Sequence, residues 1–315
     1  IVFHATYRIG SRSLKNKFLW LIAAAAFIAI FFFNIPFPLI VFSAAILGYL
    51  LSKKQPHLFS QQASHQSNQK NYGAALIDDN TPPPAHAIFR WANLAKIVLT
   101  AAFLWCIPIL LLTFSLGWQH AYTQMAWFFT KAALLTFGGA YAVLPYVYQG
   151  AVNYYGWLNP TQMIDGLALG ESTPGPLIMV VAFVGFLGGF NQALLGTEHL
   201  FLAGAVGAVI VTWFTFLFSF VFIFAGAPLI ESTHNELKFT APLTAITAAV
   251  VGVILNLALF FSYHVLWPNG FDHAFNYEAA IITVAAMIAL FKFQINVLYV
   301  IFASAVCGLI LYLFV

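Results

Sequence analysis

Charge is what this chain has least of. Asp, Glu, Lys and Arg make up 7% of the 315 residues, against about 25% in a soluble domain. With 62% hydrophobic residues and a mean hydropathy of +0.89, this excludes a water-soluble globular domain, and nucleic acid is not an expected partner. Cysteine is also scarce. Cys106 and Cys307 both sit in apolar runs, where they read as small hydrophobes, which excludes a disulfide framework. No HExxH and no paired Cys/His spacing occurs, so no metal site, cofactor or catalytic set is expected, and a membrane enzyme is disfavoured. Arginine stops at Arg90; a bidentate arginine fork for an oxyanion is therefore absent from the rest of the chain. Ten-residue blocks of alternating polarity are missing too, which argues against an outer-membrane barrel.

What is present is a series of long apolar runs. Phe18–Phe33, Leu94–Leu116, Leu200–Ala227 and Ile295–Val315 each approach the length that crosses a bilayer core or pair with a neighbour that completes it. The expected fold is all-α, a polytopic membrane protein with broken or re-entrant helices. Residues 1–17 carry Arg8, Arg12, Lys15 and Lys17, with His4, Arg8 and Arg12 at i, i+4 spacing; they read as a short interfacial helix facing the cytoplasm. Residues 18–51 read as a short helical hairpin with Pro36 and Pro38 at its tip. Residues 52–93, rich in Gln, Ser, Asn and His and ending near Thr81-Pro82-Pro83-Pro84, cannot bury a core and read as a flexible cytoplasmic linker. Seven hydrophobic passes come next, at 94–116, 122–148, 161–190, 200–227, 239–267, 278–291 and 294–315. That count leaves Lys238 and Lys292 on the linker side and the C-terminus on the other.

Two of these stretches are broken. The first break is Phe137-Gly138-Gly139-Ala140-Tyr141 with Pro145 after it; the second is Glu171-Ser172-Thr173-Pro174-Gly175-Pro176. Lipid-exposed backbone cannot leave N–H and C=O groups unpaired, so breaks persist where protein or a wet cavity satisfies them. Two of them about 35 residues apart point to a solute site near mid-membrane. Paired glycines let a helix unwind and a ligand approach; small residues also serve helix packing, as in the Gly185/Gly189 spacing, and Gly138-Gly139 fits both readings. At the second break Ser172 or Thr173 could cap a helix with Pro174 in its first turn. The N-terminus of the helix from Leu177 would then offer N–H groups to an anion, or the segment is only a tight turn that starts a span.

Three ionisable groups stand near the breaks. Intramembrane charges are costly and usually functional. Glu171 reads as a proton carrier or as a carboxylate capping the nearby helix. Asp165 reads as interfacial. Lys131 is the one basic group in this pair of stretches.

Lys131 to Tyr148, KAALLTFGGAYAVLPYVY, and Trp157 to Val180, WLNPTQMIDGLALGESTPGPLIMV, resemble the FGG and PGP motifs of the chromate transporter (CHR, ChrA-type) family, at the matching separation. The resemblance runs from about residue 94 to the C-terminus, and 1–51 resembles the end of the family's first half. Long members have two homologous halves of opposite topology. The resemblance therefore implies half of an inverted-repeat transporter plus the end of the first half: 1–51 as a remnant, 52–93 as linker and 94–315 as the second domain. It implies a substrate site at Lys131, Phe137, Gly138, Gly139, Tyr141, Pro145, Thr173, Pro174, Gly175 and Pro176, with Glu171 in proton coupling. The implied activity is proton-linked export of chromate, with sulfate as an isosteric relative, through the bacterial inner membrane, giving chromate resistance.

The departure from that pattern is that one FGG and one PGP occur instead of two. With Ile1 in place of a starting Met and no signal peptide, the chain is expected to begin inside a larger protein, and to need the missing first half or a second copy. The competing readings are a passive anion channel, a transporter of another small anion, or a fragment inactive alone.

Overall fold

The structure, a computed structural model, describes residues 1–54, 90–136, 140–173, 175–232, 237–268 and 270–314. The described residues form helices and connections with no strand. The α-helices are α1 (Val2–Ser13), α2 (Lys17–Phe33), α3 (Phe37–Lys54), α4 (Trp91–Leu116), α5 (Ala121–Leu134), α6 (Ala140–Tyr148), α7 (Pro160–Ser172), α8 (Val180–Asn191), α9 (Leu200–Ser232), α10 (Leu237–Leu266), α11 (Tyr277–Phe291) and α12 (Val297–Phe314). A π-helical turn, Gln149–Tyr154, extends α6, and a 3-10 turn, Leu177–Met179, opens onto α8. Most of residues 52–93, expected from the sequence to be a linker, lies outside the described residues.

Helix starts are chosen by side chains that supply acceptors to orphan N–H groups. The Asn16 carboxamide accepts from the Leu19 N–H at 2.9 Å before α2, and Asn276 accepts from Ala279 before α11. Asn159 and Gln162 satisfy each other's backbone N–H groups at 2.8 and 3.0 Å in a capping box before α7.

Helix α10 is the axis of the bundle, packing against α1, α2, α3, α6, α7 and α11. Glycines allow the closest approaches. Gly252 of α10 lies against the backbone of Ala23 and Phe27 in α2, Gly48 of α3 lies against Ala241 and Pro242, and Gly10 of α1 faces Val251. Leu19, Ile22 and Val41 thus belong to the same apolar core as Phe129, Val147 and Ile254. Helix α1 is amphipathic as expected, with Val2, Ala5, Thr6 and Gly10 buried and Arg8 and Arg12 exposed. Much of the outer surface is apolar: α4 buries Ile109 and leaves Leu99, Phe103, Leu111 and Phe114 exposed, as expected of a lipid-facing helix.

Among the described residues, four helical segments are long and apolar enough to cross a membrane: Phe37–Lys54, Trp91–Leu116, Thr197–Gly226 and Ala241–Leu266. Lys17–Phe33, Tyr277–Phe291 and Val297–Leu311 are shorter apolar helices. This is a polytopic, all-α membrane protein.

The two broken stretches differ from the seven-pass count. Each folds back on itself. Phe128 of α5 stacks on Tyr146 at 4.8 Å and meets Tyr155 and Trp157 edge-on, and Gly150 lies directly against its ring. Residues 146–157 therefore return along α5. In the second stretch Gly170 of α7 faces Leu177 and Val180, Gly166 faces Phe183, and the Asn191 amide donates to Gln162 Oε1 at 3.2 Å. These pairings show that α6 runs back along α5 and α8 back along α7. The α-helices of the limbs hold 14, 9, 13 and 12 residues, and the π and 3-10 turns add 6 to the second and 3 to the fourth, so each limb rises about 20–23 Å, short of the roughly 30 Å hydrocarbon core. Both stretches are hairpins whose bases meet at the same end: Gly188 sits on Met125 and Trp157, and Asn191 Nδ2 donates to the Trp157 carbonyl at 3.0 Å. Two hairpins and two passes return the chain to the same end, so the sides assigned to α9 through α12 are unchanged.

A labelling experiment separates the two arrangements. In a Cys106→Ser, Cys307→Ser background, Trp118→Cys, Tyr154→Cys and Leu195→Cys are expected to react with an impermeant maleimide from one side of the membrane. Opposite-side labelling of Tyr154→Cys alone would show that the first hairpin crosses.

Candidate functional site

The described residues just beyond the two breaks come together. The start of the site is α6, which leaves the first tip and packs against the Leu177–Met179 turn of the second. The aromatic cluster of Phe128, Phe129, Tyr155 and Trp157 fixes the hairpin bases, with Trp157 fully buried and stacked on Tyr155 at 4.4 Å. Rigid bases hold the short tips without requiring regular structure in them.

At the second tip the local chemistry differs from the capping expected from sequence. Ser172 ends α7, and its hydroxyl donates to the Leu169 carbonyl at 3.0 Å; the Thr173 hydroxyl donates to the same oxygen at 2.7 Å. The last carbonyls of a helix need donors, and the hydroxyls serve that end instead of the next helix. The following turn begins after Pro176 with no side-chain cap. Among the described residues the N–H groups of Leu177 and Ile178 find no backbone acceptor either. The helix N-terminus proposed for an anion is therefore present, shifted three residues beyond the expected start, and its donors are backbone alone.

A pocket of about 400 Å³ opens here, lined by Gly166, Gly170, Thr173, Gly175, Pro176 and Phe183 among others. Gly175 has open space where a Cβ would stand. Glu171 is half-buried in the last turn of α7, and its Oε1 is sealed from solvent with no hydrogen-bond partner among the described residues. It therefore does not cap the turn at Leu177. The Ile1 end of α1 lies near this carboxylate, so α1 borders the site.

The other expected residues are dispersed. Lys131 lies on α5, with its ammonium 5.8 Å from the centre of the Trp127 ring, and forms no ion pair with Glu171. The i, i+4 geometry of α5 places it with Trp127, whose ring in turn meets Trp105 of α4. Tyr141 is half-buried near the start of α6. Pro145 is buried one turn further on and faces a different cavity. Asp165 is exposed on α7, as an interfacial carboxylate would be. Phe137, Gly138, Gly139 and Pro174 lie outside the described residues.

The family model for chromate transporters matches residues 123–309, which take in both hairpins and most of the chain beyond them. The chain belongs to the chromate transporter family. A chromate transport protein of Pseudomonas aeruginosa is 28% identical over 259 residues, covering 81% of this chain and 50% of that protein. One of Cupriavidus metallidurans is 31% identical over 137 residues, 44% of this chain and 31% of the relative. An uncharacterized transporter of Bacillus subtilis is 25% identical over 189 residues, which are 59% of this chain and 94% of that shorter protein. The chain thus spans half or less of the length of the first two relatives. No solved structure matches significantly.

Proposed function

We propose that this chromate transporter family chain forms half of a secondary transporter that exports chromate, or a related divalent oxyanion such as sulfate, across the plasma membrane in exchange for protons, and so confers chromate resistance. The observation that carries the reading is the packing of α6 on the Leu177–Met179 turn, where the second hairpin has uncapped backbone N–H groups, a pocket of about 400 Å³ of its own and a carboxylate oxygen without a hydrogen-bond partner. Neutral donors at a helix N-terminus suit an oxyanion. A buried carboxylate with no fixed partner can exchange a proton as access alternates. Residues 1–51 would be the end of the first half, 52–93 the linker and 94–315 the second half. A companion half, or a second copy of this chain, would supply the opposing tips. That a Bacillus subtilis transporter of near single-unit length belongs among the relatives favours assembly from separate units as one route.

The test is chromate flux in proteoliposomes under an imposed pH gradient, alone and with the companion half. Gly175→Val puts bulk at the second tip where a Cβ meets no atom within 4 Å. It is expected to melt like wild type and to lose most of its flux. Normal flux would show that this pocket does not carry the ion. Downhill flux without pH-driven accumulation would favour a passive anion channel.

A further inference from the structure

A second cavity, of about 500 Å³, lies at the base end of the hairpins, between the end of α2, the π turn after α6 and the last third of α10. Its polar wall is made of amides and phenols: Asn34, Gln149, Asn153, Asn256, Tyr148 and Tyr263. No charged residue lines it. Asn256 stands out. It is the one hydrogen-bonding side chain of α10 between Thr247 and Ser262, and polar groups in such runs are unfavourable unless satisfied or used. Among the described residues no hydrogen bond reaches its side chain, nor those of Asn34 and Asn153, although two other polar side chains of α10 nearby, Ser262 and His264, bond back to their own helix.

The orientation of Gln149 gives the wall a sign. Its Oε1 accepts the Phe37 N–H at 3.3 Å, and since that partner is a donor, the amide must turn its oxygen toward it. The Gln149 NH₂ is left uncommitted. The π turn, closed by the Tyr155 N–H on the Gly150 carbonyl at 2.8 Å, brings Gln149 and Asn153 to the same cavity; π turns recur at functional positions. A hard-cation site usually includes carboxylates, and none lines this cavity. Its amides carry NH₂ donors beside their oxygens, and Gln149, with its oxygen committed to Phe37, presents its NH₂.

We infer that this chamber is a second binding site for a tetrahedral oxyanion, a vestibule at the base end of the hairpins, organised by Asn256, Gln149 and Asn153. The identity of the ion rests on the transport reading; the donor set does not. Helix α6 joins the two sites, since it leaves the first tip at Ala140 and reaches the chamber at Pro145 and Tyr148.

Equilibrium binding of radiolabelled sulfate to the purified protein, run beside flux, tests the inference. Asn256→Asp keeps the shape and adds a negative charge; Asn256→Leu keeps the bulk and removes the donors. Both are expected to weaken sulfate binding about tenfold or more, the scale of a hydrogen bond to a charged group. Asn153→Asp, at an exposed position, should do the same and serves if the α10 variants fail to fold. Unchanged sulfate affinity in variants that melt like wild type overturns the inference. So does tighter sodium binding by Asn256→Asp, which would make the chamber a cation site. Absence of any sulfate binding by wild type overturns it as well. Sulfate binding that depends on Asn256 in a protein without flux, even with the companion half present, would sink the transport reading and leave the chamber standing.

Discussion

Gly189→Val is expected to prevent α8 and α9 from assembling, with no folded protein recovered in detergent. A Cβ at Gly189 would run into the carbonyl of Ala203, and the reciprocal positions Gly185 and Gly207 meet backbone to backbone in the same way. Tyr122 adds a buried hydroxyl that donates to the Ala203 carbonyl at 2.8 Å, so the crossing distance is fixed from a third helix. Overpacking usually costs about 1–3 kcal/mol where side chains can move aside. Here the obstacle is main chain, and the two helices must separate along their whole contact. The loss is expected to exceed that range. Thermal melting followed by size-exclusion fluorescence checks it; a Gly189→Val protein with wild-type melting would mean the helices are not held at this distance. Gly189→Ala should give an intermediate melting temperature.

Glu171→Gln is expected to uncouple transport from the pH gradient. If one proton moves against each anion through this carboxylate, each unit of pH gradient changes the accumulation ratio about tenfold, because one unit corresponds to about 1.4 kcal/mol. Glutamine has nearly the same shape and stays neutral. Downhill exchange of chromate should persist, while accumulation should no longer respond to the gradient. Vesicles with imposed gradients of zero, one and two pH units distinguish the cases. An unchanged slope would remove Glu171 from coupling, and an unchanged slope with lost affinity would recast it as a positioning residue for the tip.

Much of this site was legible in the residues. Glycine and proline inside apolar runs mark both turning points, the Gly185/Gly189 spacing marks the tight crossing with α9, and Glu171 is placed at the second break by sequence alone. What hydropathy could not separate is a span from a hairpin. Residues 122–148 and 161–190 have the length and apolarity of a crossing, and the fold-back is decided by distant contacts such as Phe128 on Tyr146 and Asn191 on Gln162. The same limit explains Lys131: its neighbourhood to the break in sequence is real, but its helix face belongs to Trp127. The capping at Ser172 and Thr173 fits either side of the break in sequence, and only the geometry shows the hydroxyls turned back to Leu169. The amide chamber draws on three segments more than 100 residues apart. One signal for it stood in the open, the lone Asn256 in an otherwise apolar stretch of α10.

The hairpins also have an electrical consequence. Since neither crosses, the two polar compartments are separated at the site by little more than the tips and the turn between them, if the base-end chamber is filled with water. A membrane potential falls mostly across the thinnest insulating layer. Each 100 mV is worth about 2.3 kcal/mol per elementary charge, so a divalent ion moving past a few residues at the tips would do nearly all of its electrical work there. Small changes in the packing of Gly175 or Leu177 would then alter how strongly the voltage, and not only the ion, is felt by the protein.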